Sequence, residues 1–225
     1  MKIPMPLIIV GTIALMSAVG IGLRLDAYGH VSALYVACAL FFSTNLLICY
    51  WEICLYLRRD YVEKRLGYWQ DWERETGRIA AIEYFTSRVP VSQLFSPTVW
   101  ADVWATYCIY DDSYADRRTL GFNVDVCNGY ATLVPSLLLY AALTIEFLPA
   151  MVTGLIGFAL CWQWCYVTSV YIASVFIGKH HRKITRKELY IAILMPNAPW
   201  LLFSVLGLYI FLRMIIDGSY QVMSF

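Results

Sequence analysis

Five long apolar runs, each broken from the next by a charged or turn-forming stretch, set the pattern of this chain. They cover approximately residues 5–23, 31–57, 126–145, 149–177 and 189–216, and each is long enough to cross a bilayer as an α-helix. The second and fourth exceed what a span needs, which predicts tilt or extension beyond the membrane. Lys2 ahead of the first run reads as the flank of an uncleaved first span, because four more apolar runs follow.

The polar interval 58–125 is too long to be a bare loop. Within it, 67–89 mixes charge with Trp69, Trp72, Ile79, Ile82 and Phe85, the pattern of an interfacial amphipathic helix. Ser96-Pro97 marks another helix start, a capping hydroxyl followed by proline at the first helical position. Trp100, Trp104 and Tyr107 then share one face, and aromatics so spaced are expected to lie flat at headgroup level. That helix runs into the acidic cluster Asp111, Asp112 and Asp116; Asp111 and Asp112 read either as a headgroup or cation site or as a solvated helix end. The predicted architecture is all-α: a polytopic five-helix transmembrane bundle with an interfacial helical segment between spans two and three, forming a single membrane domain over 1–225.

Composition agrees with the pattern. The 225 residues are 60% hydrophobic and 15% charged, where a soluble domain carries about 25% charged residues. The net charge of +1 leaves no basic patch for nucleic acid. The loop cations instead set orientation: Lys2, the segment 58–125 and the loop 179–188 lie on one side, and Arg24, Glu146 and Arg213 on the other. Positive-inside counting assigns the first group, with the N-terminus, to the cytoplasm. Seven cysteines form no C-x-x-C, and His30, His180 and His181 have no zinc-ligand spacing. The cysteines read as small buried hydrophobes, and neither a metal nor a cofactor is expected.

One residue does not fit a plain apolar span. Glu52 is the sole formal charge in 31–57, and a carboxylate there is costly unless it faces a protein interior or a watery cavity. Steps of four and three put Asn45, Cys49 and Glu52 on one helical stripe. Function as a general acid or cation-binding carboxylate stands against a protonated, hydrogen-bonded or snorkelling glutamate. Asp125, Asn128 and Thr132 form a second stripe at the start of the third span, either facing Glu52 across the bundle or, for Asp125, capping a helix. The run Met195-Pro196-Asn197-Ala198-Pro199-Trp200 breaks the last span; it reads either as a kinked wall offering an indole face to a cation or as a break patched by Asn197 itself. Gln163, Tyr166, Thr168 and Tyr171 decorate the fourth span, where polar groups commonly glue helices.

These residues resemble a known pattern. Asn197-Ala198-Pro199-Trp200 resembles the Asn-Ala-x-Trp signature of emopamil-binding proteins, the sterol isomerases of the EXPERA superfamily. Trp104-x-x-Tyr107-x-x-x-Asp111 resembles their Trp-x-x-Tyr-x-x-x-Asp stretch, Tyr166 and Tyr171 a tyrosine pair of their fourth helix, and Glu52 their helix-two glutamate. The five-span layout with a long connection after span two is similar as well. The chain departs from the family in having no histidine one turn before Glu52, and in placing Asp125 or Asn128 where the family has a helix-three glutamate. A weaker likeness, Trp51-Glu52, is to small membrane terpene cyclases.

The resemblance implies an intramembrane isomerase, or a related cyclase, acting on a sterol or terpenoid-like alkene. Glu52 would protonate the alkene, Asp125 or Asn128, with Asn197, would orient or remove the proton, and Asn45, Trp104, Tyr107, Asp111, Tyr166, Asn197 and Trp200 would hold the substrate. The superfamily also includes members that bind sterols or drugs without known catalysis, so a non-catalytic lipid binder is the alternative. A structural role in which Glu52 pairs with a partner's span is a third. The expected partners are a hydrophobic small molecule, membrane lipids and a second copy in a homodimer.

Overall fold

The computed structural model describes residues 1–224. Among them, five helices are long and apolar enough to span a membrane: α1 (Met5–Tyr28), α2 (Ala33–Leu57), α6 (Leu120–Ile145), α7 (Ala150–Ile177) and α8 (Arg186–Asp217). The chain is an integral, multi-pass membrane protein. Between α2 and α6 lie α3 (Arg59–Thr76), α4 (Ala80–Thr86) and α5 (Pro97–Tyr107). Two three-residue strands, β1 (Lys2–Pro4) and β2 (Arg88–Pro90), pair antiparallel with Ile3 opposite Val89. This pairing ties the N-terminus to the interfacial segment; nothing in the apolar pattern announces it.

Several local expectations change. The stretch 67–89 is not one helix: α3 stops at Gly77, whose φ of +66° is the left-handed cap that glycine takes without a Cβ penalty. Val62, Trp69, Ala80 and Tyr84 face inward, while Ile79 and Ile82 are exposed. Helix α5 begins at Pro97 as expected, although the Ser96 side chain makes no capping bond. Its tryptophans do not lie flat at the interface. Trp100 and Trp104 are buried, their indole N–H groups donating to the carbonyls of Leu94 and Trp51. The third span starts at Leu120, capped by Thr119, so Asp125 lies inside the helix and is not a cap.

Two packed regions hold the bundle. One joins α3, α4 and α5 to Met5, Cys54, Leu55 and Tyr171. The other gathers Tyr35, Phe42, Leu139, Leu143, Trp164, Phe211 and Met214 at the opposite end. There Arg24, 1% exposed, pairs with Glu146 at 3.1 Å and donates to the Leu143 carbonyl. Its guanidinium also lies over the Tyr28 and Tyr35 rings. Arg24 and Glu146 are thus more than loop charges: they form a part-buried clamp between α1 and the end of α6.

Candidate active site

The two polar stripes meet. Helices α2 and α6 run antiparallel with three rungs between them: Glu52 with Asn128, Cys49 with Thr132 at 3.4 Å, and Asn45 with Ser136 at 3.0 Å. Gly129 allows the approach, since a Cβ there would stand 2.7 Å from Glu52 Cβ and 3.0 Å from the Cys49 carbonyl. Small residues at such crossings let membrane helices come close.

At the Glu52 rung the geometry is fully determined. Trp164 Nε1 donates to Asn128 Oδ1 at 3.2 Å. An indole N–H can only donate, so the amide oxygen of Asn128 must face Trp164 and its amino group must face Glu52. That amino group donates to both Glu52 oxygens, at 2.9 Å each. Glu52 itself is 4% exposed. Asn128 is therefore an orienting residue and not a proton acceptor: both ends of its amide are occupied, and an amide is no base. Of the two roles expected of it, orienting and removing a proton, the geometry fits the first and not the second.

A cavity of about 180 Å³ opens beside this rung, lined by Trp51 and Glu52 from α2, Val124, Asp125 and Asn128 from α6, Trp164 and Thr168 from α7, and Pro196, Asn197 and Trp200 from α8. Helix α5 roofs it with Val103, Trp104 and Tyr107, and Tyr114 closes the side. The Glu52 and Asp125 carboxyls thus face one aromatic chamber. The Tyr114 hydroxyl lies beside Asp125, and burial, with that carboxylate next to it, holds Tyr114 well above its ordinary pKa. Burial likewise pushes the Tyr107 hydroxyl up. Both phenols stay protonated donors at any physiological pH.

The remaining expected residues divide. Trp104, Tyr107, Asn197 and Trp200 line the chamber. Asn45 stands behind it, accepting from Trp200 Nε1 at 3.1 Å, so it orients the indole and does not meet a substrate. Asp111 is not a solvated helix end; it is 3% exposed and accepts from the Tyr171 hydroxyl at 2.7 Å, which in turn sits 3.2 Å from Tyr107 OH. Asp111 acts through that pair. Tyr166 is a plain correction: it is 59% exposed and stacks on Trp162 on the outer face of α7, because two residues past the inward Trp164 the helix has turned to the lipid side.

Asn197 serves both readings offered for it. It donates to the Ile193 carbonyl at 2.8 Å, patching the backbone where α8 passes through a π-helical stretch, Leu189–Leu194, before Pro196 and Pro199, and it still lines the chamber. Sequence reasoning missed Trp164 and Tyr114. The spacing of Trp164, Thr168 and Tyr171, four and three apart, was the available signal for the first. No family model, curated protein or solved structure matches this chain.

Outside the chamber, His180 Nδ1 lies 3.9 Å from Asp111 and 3.8 Å from Asp112. Lys183 already supplies a cation to Asp112 at 3.0 Å, and Tyr171 occupies Asp111. All seven cysteines are free thiols, with Cys127 exposed.

Proposed function

We propose that this protein is an intramembrane isomerase, or a closely related cyclase, acting on a sterol or terpenoid-like alkene. One observation carries the reading: two carboxyl groups, Glu52 and Asp125, share a small chamber whose other lining residues include six aromatics. Alkene isomerisation needs that equipment. Glu52 gives its proton to one alkene carbon, leaving a carbocation at the other. The electron-rich faces of Trp104, Trp164 and Trp200 stabilise that charge. Asp125 takes the proton from the neighbouring carbon, and the C–H electron pair becomes the new double bond. Both hydrogen bonds to Glu52 come from a donor, so a proton on its carboxyl finds its acceptor in the chamber, where the alkene would sit. The likeness to emopamil-binding proteins supports the same chemistry, and positive-inside counting supports a cytoplasmic N-terminus and basic loops.

The second reading is a non-catalytic sterol or lipid binder. Two observations favour it: Ile48 and Cys49 stand one turn before Glu52, with no histidine, and about 180 Å³ lies below the ~300 Å³ at which drug-sized sites begin. The test incubates membranes carrying the protein, or its Glu52→Gln variant, with neutral-lipid extracts and resolves products by mass spectrometry. Isomerase chemistry predicts a shifted double bond with the intact protein alone. A lipid that co-purifies with both forms and is never converted would replace the isomerase reading with the binder.

A further inference from the structure

A second cavity, of about 310 Å³, lies apart from the chamber, between α3, α4, β2 and α5. It is lined by Arg65, Arg88, Tyr68, Trp69, Trp72 and Asp102 among others. The aromatic walls suggest a cation site at first, and the hydrogen-bonding pattern overrules it. Arg65 already lies over the Tyr68 ring at 3.7 Å and the Trp69 ring at 5.0 Å, and Arg78 over Trp72 at 5.5 Å. The aromatic faces therefore have their cations.

The carboxylates are also satisfied. Asp102 accepts from Arg65 Nε at 2.9 Å, Trp69 Nε1 at 3.0 Å and Tyr61 OH at 3.1 Å. Glu83, on the same wall, pairs with Arg78 at 2.6 Å. Arg88 has no ion pair among the described residues. The Arg65 guanidinium is anchored through Nε, which leaves its two terminal amino groups without a described partner. What remains open in this cavity, without a protein acceptor among the described residues, is positive charge with planar N–H donors.

The geometry points to a phosphate-ester site in this cavity, with Arg88 and the terminal amino groups of Arg65 as its donors. Guanidinium groups suit phosphate because their fork of donors meets two oxygens at once. The exposed apolar side chains next to the cavity in sequence favour a phospholipid headgroup as the source. Ile79 and Ile82, at the start of α4 and on it, and Val91 and Phe95, beyond β2, flank the lining residues in sequence; all are exposed, Phe95 at 86%. Apolar side chains bared beside a cationic pocket are what an interfacial segment sinks into the acyl boundary, and that would hold the arginines at headgroup level.

The test uses the whole protein in uncharged detergent micelles and follows intrinsic tryptophan fluorescence, since Trp69 and Trp72 line the cavity. The probes are short-chain phosphatidic acid, glycerol 3-phosphate, and short-chain phosphatidylcholine as a zwitterionic control. Phosphatidic acid is expected to bind saturably. Arg88→Gln is expected to weaken it about tenfold or more, the loss of a charge-assisted contact. Arg88→Lys should fall between the two. Arg88 is exposed and meets β1 through its backbone, so these variants keep the fold. Arg74→Gln, on α3 but outside the cavity, should bind as the unaltered protein does. Equal affinity for glycerol 3-phosphate would assign the site to a soluble phosphate ester; phosphatidic acid alone would assign it to lipid. Absence of saturable binding by either phosphate, or equal effects of Arg88→Gln and Arg74→Gln, overturns the proposal.

Discussion

At the scale of single residues, the account rests on how Asn128 is held. With its oxygen fixed by Trp164 and its amino group by Glu52, it sets the carboxyl's direction. Asn128→Ala leaves a buried acid without its donors, a loss of about 1–3 kcal/mol, to be seen as a lower midpoint in thermal unfolding in detergent. Trp164→Phe removes the N–H but keeps most of the ring, so it should cost less stability while still freeing the amide to turn. On the surface, Arg118 holds the Asp116 carboxyl down at about 2. A depressed folded-state pKa contributes stability that is present above the usual 3.8 and is lost as pH falls through 2. An NMR titration of Asp116 should return toward 3.8 in Arg118→Ala; an unchanged midpoint would contradict the contact.

At the scale of elements, the α2–α6 crossing and the Arg24 clamp are the contacts most exposed to test. Gly129→Val places atoms where Glu52 Cβ and the Cys49 carbonyl already stand, and overpacking of that kind costs about 1–3 kcal/mol. Gly11→Val in α1, where an added Cβ meets nothing within 4 Å, is the matched control and should be nearly silent. At the other end, Arg24→Met strands Glu146 and two stacked tyrosines. Breaking a fully buried pair from one side costs about 3–5 kcal/mol, and the loss here should fall below that range because water reaches the carboxylate left behind. The pair's own coupling, read from Arg24→Met, Glu146→Gln and the double variant, should be smaller than the single Arg24 loss, because Glu146 is a quarter exposed.

At the scale of the whole molecule, the long interval between spans two and three acquires a purpose. It is the roof of the chamber, with α5 pinned to α2 through Trp104 and the Trp51 carbonyl and to α7 through Tyr107 and Tyr171. Much of this was legible in the chain. The spans follow from apolar runs, and the stripes Asn45–Cys49–Glu52 and Asp125–Asn128–Thr132 from helical spacing, because periodicity states which residues share a face. It does not state what that face meets. Trp164 and the outward Trp162 look alike inside an apolar run, since lipid and protein core are equally apolar. The same ambiguity hid the burial of Trp100 and Trp104 and misplaced Tyr166. Arg24 with Glu146, and β1 with β2, are pairings of residues far apart in sequence, and no local pattern records them.

The most direct test of the central claim is the fate of one proton. Membranes carrying the protein, its Glu52→Gln variant or its Asp125→Asn variant are incubated in heavy water with the neutral-lipid extract, and labelled sterols or terpenoids are located by mass spectrometry. The account predicts one deuterium in the product of the intact protein, at the carbon that was protonated, and none with Glu52→Gln. It predicts at least a hundredfold less product with Asp125→Asn, in the range typical of a lost general base. Label incorporated equally with and without the Glu52 carboxyl, or a product formed by the intact protein with no deuterium in it, would contradict the assignment of Glu52 as the acid.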